Sequence, residues 1–193
     1  SGGGRQSLAE AQFYPNDYDG IWASCPAINW TQFLASGLWA VTVMNEYDHI
    51  LGFHKINAFR DAVHNSVGGK ENYFQVEERI YFDPYTILGQ KTKGGKITEK
   101  DCFVMQEIWK GPHTTGNDFL WYSFLPGGTF WNKIIPIGSF YYPLIGKRPK
   151  CFSLVEQYVH LAFEDPKKDL LHLKIRDFEK VFDTCIRKLG WLS

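Results

Sequence analysis

Charge of one sign is what this sequence most plainly lacks: over 193 residues, 21 Lys and Arg stand against 21 Asp and Glu. A nucleic-acid or anionic-membrane partner is announced by a basic stripe, so neither is expected. Long apolar runs are missing too, which excludes a membrane-spanning helix. Cysteine is scarce. Cys25, Cys102, Cys151 and Cys185 have no metal-ligand spacing and allow three pairings, which the sequence leaves open. Cys102 and Cys185 fall on apolar faces of predicted helices, where a buried thiol explains them equally well. Aromatic residues, by contrast, are dense at 17%, with 7 Trp, 10 Tyr and 15 Phe. Such density suits a site that stacks on phenolic rings, although large rings bury the most area and most belong to core packing.

Periodicity gives the coarse organisation. Residues 5–13 read as a helix with Leu8 and Ala11 on its apolar side, stopped near Pro15, and 20–24 as a short buried strand. Trp30, Phe33, Leu34, Leu38 and Val41 recur at helical spacing, with Asn29 placed to cap the N-terminus. A weaker helix is expected over 53–67. Thr98 with Asp101 forms a capping box, opening a helix whose stripe is Cys102, Met105 and Trp109 and which Gly111-Pro112 closes. Phe178, Val181, Phe182, Cys185, Ile186 and Leu189 give the clearest amphipathic pattern, ended by Gly190 as a C-cap. Residues 112–153 keep no steady period and read as irregular, with a few short strands.

The chemistry is carried by the first residues, SGGGRQSLAEAQ. Ser, any residue, then Gly is the back half of a nucleophile elbow, in which the serine sits on a strained strand-to-helix turn and backbone and helix meet closely two residues on. Ser1 is then the nucleophile. The helix start aims N–H groups at a developing anion, with the Gly2 N–H as one oxyanion donor. Ser-Gly-Gly-Gly is also what a flexible linker looks like. Ser1 can further be read as an N-terminal nucleophile with its own amine as base; those enzymes place the nucleophile on a strand, whereas a helix begins here within a few residues.

SGGGRQ, AEAQFYPNDYDGI, CPAINWTQFL, LWAVTVMNE, YFDPYTILGQKT, GKITEKD, EIWKGP with a downstream GNDFLWYSF, and FEDPKKDL followed by RDFEKVFD occur in that order. In these blocks the chain resembles the tannase and feruloyl esterase family of serine carboxylic ester hydrolases, and the resemblance covers almost its whole length. It implies an α/β fold in two parts: a partial α/β-hydrolase core in residues 1–26, with the elbow helix and one strand, and a large, mainly helical and irregular lid in 27–193. The substrate implied is a small phenolic ester of galloyl or feruloyl type, attacked by Ser1 to give an acyl-enzyme that water releases. The family elbow has a Cys before the serine, and its triad Asp and His follow the segment matched here. None of His49, His54, His64, His113, His160 and His172 falls at a triad position. The chain is accordingly expected to lack the remainder of its own hydrolase domain and to be inactive alone; a lid-derived binding module without catalysis is the reading from another class. Secretion is implied by the family.

Two further expectations follow. Related chains carry Asp-Gly pairs suited to a calcium loop, whereas 61–71 here reads DAVHNSVGGKE, with only Asp61 and Glu71 as carboxylates. Calcium takes six to eight oxygen ligands, so no cofactor is expected and the stretch reads as a Gly-rich turn. Near residue 120 the lid mixes rings with glycines. Strand-like alternation would put Phe119, Trp121 and Ser123 on one face and Leu120, Tyr122 and Phe124 on the other, with Trp121 or Tyr122 stacking on a phenolic ring.

Overall fold

The computed structural model describes residues 2–67, 81–123, 125–128 and 153–190. These residues are mostly helical: α1 (Gly2–Phe13), α2 (Trp30–Ser36), α3 (Trp39–Glu46), α4 (Phe53–Ser66), a 3-10 turn (Pro84–Ile87), the hairpin β1 (Lys91–Thr92) and β2 (Gly95–Lys96), α5 (Glu99–Lys110), α6 (Ser153–Phe163) and α7 (Ile175–Leu189). The hairpin is antiparallel, pairing Lys91 with Lys96 and Thr92 with Gly95. Among the described residues it is the one sheet.

Helices α2 to α7 share one apolar core. Helix α2 packs on α6 and α7, and α3 on α5 and α7. Leu38, Val43, Met44, Phe59, Met105, Val159, Phe178 and Val181 are fully buried there. Trp39 sits at its centre. Its ring meets Phe178 edge-on at 5.2 Å and His113 at 4.7 Å, and its indole N–H donates to the Glu107 carbonyl at 3.2 Å, which satisfies the one polar atom such a ring buries.

The expected amphipathic helix 30–41 is two helices. The break falls at Gly37 and Leu38, whose N–H groups donate to the carbonyls three residues back, Leu34 and Ala35, and Gly37 passes Val155 of α6 so closely that a Cβ would lie 2.8 Å from Val155 Cγ2. Asn29 stands at the start of α2, but in the left-handed region at φ 50°, and its side chain makes no capping bond. Gly190 ends α7 as its C-cap, in a right-handed conformation at φ −60°. The capping box of α5 is formed as read, with Thr98 Oγ1 accepting from the Asp101 N–H at 3.2 Å and Asp101 from the Thr98 N–H at 2.7 Å. Helix α6 had no counterpart in the periodicity reading.

Two expectations for the N-terminal segment need correction. Helix α1 forms but buries no apolar face: only Gly4 is buried, and Leu8 is 39% exposed. Residues 20–24 are not a strand. They make no ladder with any described residue, the pairing that defines a strand, and Trp22 is 86% exposed. The alternation expected around residue 120 is also absent. Leu120 and Trp121 both donate their N–H to the Pro112 carbonyl, at 2.9 and 3.2 Å, and that bend brings consecutive side chains to the same side. Phe124, Cys151 and Glu71 lie outside the described residues.

Candidate active site

Of the two residues read as catalytic, Ser1 lies outside the described residues, and Gly2 opens α1 with its Cα exposed and nothing within 4 Å of a Cβ built there. Three consecutive glycines are poor helix formers, yet α1 runs through all of them. Gly4 supplies a reason for one. A Cβ on it would stand 2.3 Å from the Ser24 carbonyl oxygen and 2.8 Å from Pro26 Cα, so only glycine lets the helix start press against 24–26. This close approach falls at Gly4, one position beyond the Gly3 of the Ser-x-Gly pattern.

Histidine is engaged elsewhere. His64 Nε2 donates to the Gly127 carbonyl at 2.8 Å, His113 Nδ1 to Gly111 at 2.8 Å and His160 Nε2 to Lys168 at 3.1 Å. His172 pairs with Asp169 on the surface. His49 meets Asp101 at 2.8 Å, a pairing across 52 positions that no local pattern announces. Asp101 is wholly buried and also accepts from Lys55 Nζ at 2.6 Å and from the Thr98 hydroxyl at 2.7 Å. Burial raises its pKa, but Lys55, the Thr98 N–H, His49 and the Thr98 hydroxyl together outweigh that, and the carboxyl stays below its ordinary value. This cluster ties the 47–52 turn and α4 to the start of α5; it is a clamp.

The two buried thiols, Cys102 and Cys185, are held protonated. Burial pushes Cys185 up to about 12, and burial with the Asp101 and Asp83 charges pushes Cys102 up to about 11. Both are unpaired and buried, as the helix-face reading allowed.

A cleft of about 640 Å³ opens between the end of α5 and the 119–126 turn, walled by Phe82, Trp109, Phe119 and Tyr122. Tyr122 is 58% exposed and stands edge-on to Phe119 at 5.1 Å. Trp121, its neighbour in sequence, is half-buried against the core. The two rings named from sequence therefore part company: Tyr122 faces the cleft and Trp121 packs inward. Sequence reasoning missed Tyr81, Phe82, Trp109 and Phe119 as cleft walls, since they come from three segments with no common spacing. Glu107 and Lys110, 3.8 Å apart, supply both signs of charge at the rim. Among the described residues no group of three or more His, Cys, Asp and Glu could hold a metal.

Comparison with known proteins agrees with the N-terminal motif. The family model for tannase and feruloyl esterase matches residues 1–74. A probable feruloyl esterase from Arthroderma benhamiae is 33% identical over 96% of this chain, which spans 36% of that relative's length. Tannin acyl hydrolase from Aspergillus niger superposes with a TM-score of 0.70 at 18% identity, over 98% of this chain and 37% of the other. Feruloyl esterase B from Aspergillus oryzae gives 0.68 at 15%, over 96% and 37%. The fold is thus that of the corresponding third of tannase-type hydrolases, and it is the tannase and feruloyl esterase family whose model residues 1–74 match.

Proposed function

We propose that this chain is the elbow-and-lid part, 1–26 and 27–193, of a secreted serine carboxylic ester hydrolase acting on esters of phenolic acids. The observation that carries the reading is the 33% identity with a probable feruloyl esterase over 96% of the chain, beside the family-model match that starts at SGGGRQ. In this reading Ser1 Oγ attacks the ester carbonyl and the Gly2 N–H, at the positive end of α1, stabilises the oxyanion. The alcohol leaves, and water attacks the acyl-enzyme to return the serine and release the acid. The base and its orienting carboxylate come from the part of the enzyme that the relatives have beyond the matched third. The described histidines support that assignment, since five of the six are held by carbonyls or carboxylates within this fold.

Tyr122 is the ring assigned to the phenolic acyl group. No calcium is assigned: Asp61 already accepts from Arg60 Nε at 2.9 Å and Nη2 at 2.6 Å. Hydrolysis of methyl gallate and methyl ferulate tests the reading. The 193-residue chain alone is expected to show no enzymatic turnover, and Ser1→Ala in the relative-length enzyme to cost on the order of 10³-fold or more in kcat. Turnover by the 193-residue chain that disappears on Ser1→Ala would instead make Ser1 an N-terminal nucleophile. A relative-length enzyme indifferent to Ser1→Ala would leave the binding-module reading.

A further inference from the structure

Asn29 is the only asparagine of the chain with Ser or Thr two positions on, and Trp30 stands between it and Thr31. Asn-x-Ser/Thr, with x other than proline, is the acceptor pattern for N-linked glycosylation, whose transferase engages both the amide and the hydroxyl. The same residues have a purely structural use, the asparagine capping a helix and the threonine packing. Only half of that use is realised here. Thr31 is fully buried; its Oγ1 lies 2.7 Å from the Tyr158 hydroxyl and donates to the Leu189 carbonyl at 3.1 Å, pinning α2 to α6 and the end of α7. Asn29 caps nothing. It is exposed, stands in the left-handed region at φ 50° and ψ 38°, and its side-chain amide has no hydrogen-bond partner among the described residues. Its backbone is the anchored part: the Asn29 carbonyl accepts from the Phe33 N–H at 3.0 Å, and Trp30 stacks on Phe33 at 5.5 Å. A group attached to the Asn29 amide would hang from a fixed backbone without displacing a hydrogen bond.

We propose that Asn29 carries an N-linked oligosaccharide, attached while the chain is being made. The donor is a lipid-diphosphate-linked oligosaccharide. Asn29 Nδ2 bonds to the anomeric carbon of the first sugar, the bond from that carbon to the phosphate oxygen breaks, the lipid diphosphate leaves with the electron pair, and the amide gives up one proton. The timing follows from sequence separation. In the folded chain the Thr31 hydroxyl is beyond a transferase's reach, but its two partners lie 127 and 158 positions further on. At about 5–20 residues per second, synthesis leaves roughly 8–30 s in which residues 29–31 exist and Leu189 does not. Folding then buries Thr31 and leaves Asn29 outside, which is where a bulky, solubilising group is tolerated. The proposal rests on the secretion contained in the hydrolase reading, since the donor and transferase belong to the secretory route; it requires neither Ser1 nor an ester.

The 193-residue chain, sent through the secretory pathway of a yeast behind a supplied leader, tests the site. Enzymatic release of N-glycans leaves aspartate where an oligosaccharide was attached, and mass spectrometry of the peptide spanning 29–31 reads that change in total cell protein. It is expected at position 29 in most copies of the unaltered chain, and the glycan is expected to be missing from Asn29→Gln. Thr31→Ser should keep the glycan; Thr31→Val, which holds the shape of the side chain without its hydroxyl, should remove it. Because attachment precedes folding and total protein is sampled, these variants report even where they fail to fold. The folded chain made in a bacterium should take no oligosaccharide from purified transferase and lipid-linked donor, whereas a peptide of residues 24–36 should take one. An unmodified Asn29 in the unaltered chain, or a glycan that survives Thr31→Val, overturns the proposal, and a folded chain glycosylated as readily as the peptide overturns its timing. The leader is supplied and no ester is present, so a failed ester assay leaves the glycan standing, and a missing glycan leaves ester hydrolysis standing.

Discussion

Asp101 exposes 1% of its side chain, yet donors from His49, Lys55 and Thr98 all reach its two oxygens. A carboxylate so placed is held by its partners, and removing it strands the Lys55 ammonium, itself 16% exposed, without a counter-charge. Asp101→Ala should therefore cost roughly 3–5 kcal/mol, the range for breaking a buried pair, read as a fall in the urea midpoint at pH 7. The pH dependence has a definite sign. Because the folded pKa is depressed, the stabilisation is complete above the ordinary carboxylate value near pH 4 and is lost as pH falls through the lower folded value. The gap in urea midpoint between the unaltered chain and Asp101→Ala should accordingly narrow at pH 3; a gap that widens there would show that His49 and Lys55, not the carboxylate charge, govern the cluster.

Helix α1 and the α2–α3 pair show glycine acting in opposite ways. At Gly2 a side chain would meet open space in a helical backbone, so Gly2→Ala should strengthen α1 by up to ~1 kcal/mol. At Gly4 the same methyl would meet the Ser24 carbonyl and the Pro26 backbone, neither of which can rotate away. Gly4→Ala should undock α1 from 24–26. Hydrogen exchange over residues 5–13 is the measurement: faster in Gly4→Ala, slower in Gly2→Ala. Equal protection in both would place the close approach elsewhere. Gly37 repeats the Gly4 situation inside the core, where Val155 is the obstacle.

The described residues enclose one buried core and leave many large apolar side chains exposed. Phe13, Tyr14, Tyr18, Trp22 and Ile28 are all more than half exposed in one N-terminal stretch, an apolar strip of the sort that marks contact surfaces. The aromatic cleft adds Tyr81 and Phe119 at 88% and 64%. Trp121 and Tyr122 separate the two duties of such rings. Trp121→Ala should lower the melting temperature, since its ring packs on the core. Tyr122→Ala should leave stability within about 0.5 kcal/mol and weaken binding of a phenolic ester by roughly 0.5–1.5 kcal/mol. The reverse pattern would exchange their assignments.

Local chemistry was legible in the residue order. The capping box at Thr98 and Asp101, the stripe of α7, the span of α4 and the family blocks from SGGGRQ onward all depend on neighbours within a few positions, where spacing alone sets which groups meet. What escaped depended on residues far apart. The close approach of Gly37 to Val155 depends on how α6 packs, and the His49–Asp101 pair joins a turn and a helix 52 positions apart. The same holds for the aromatic walls: Phe82, Trp109 and Tyr122 share no periodicity and converge only because α5 and the turn after it pack against the 3-10 segment. Spacing along a chain encodes which side of a helix a residue takes, but which other segment it then meets is set by how those helices fill a common core.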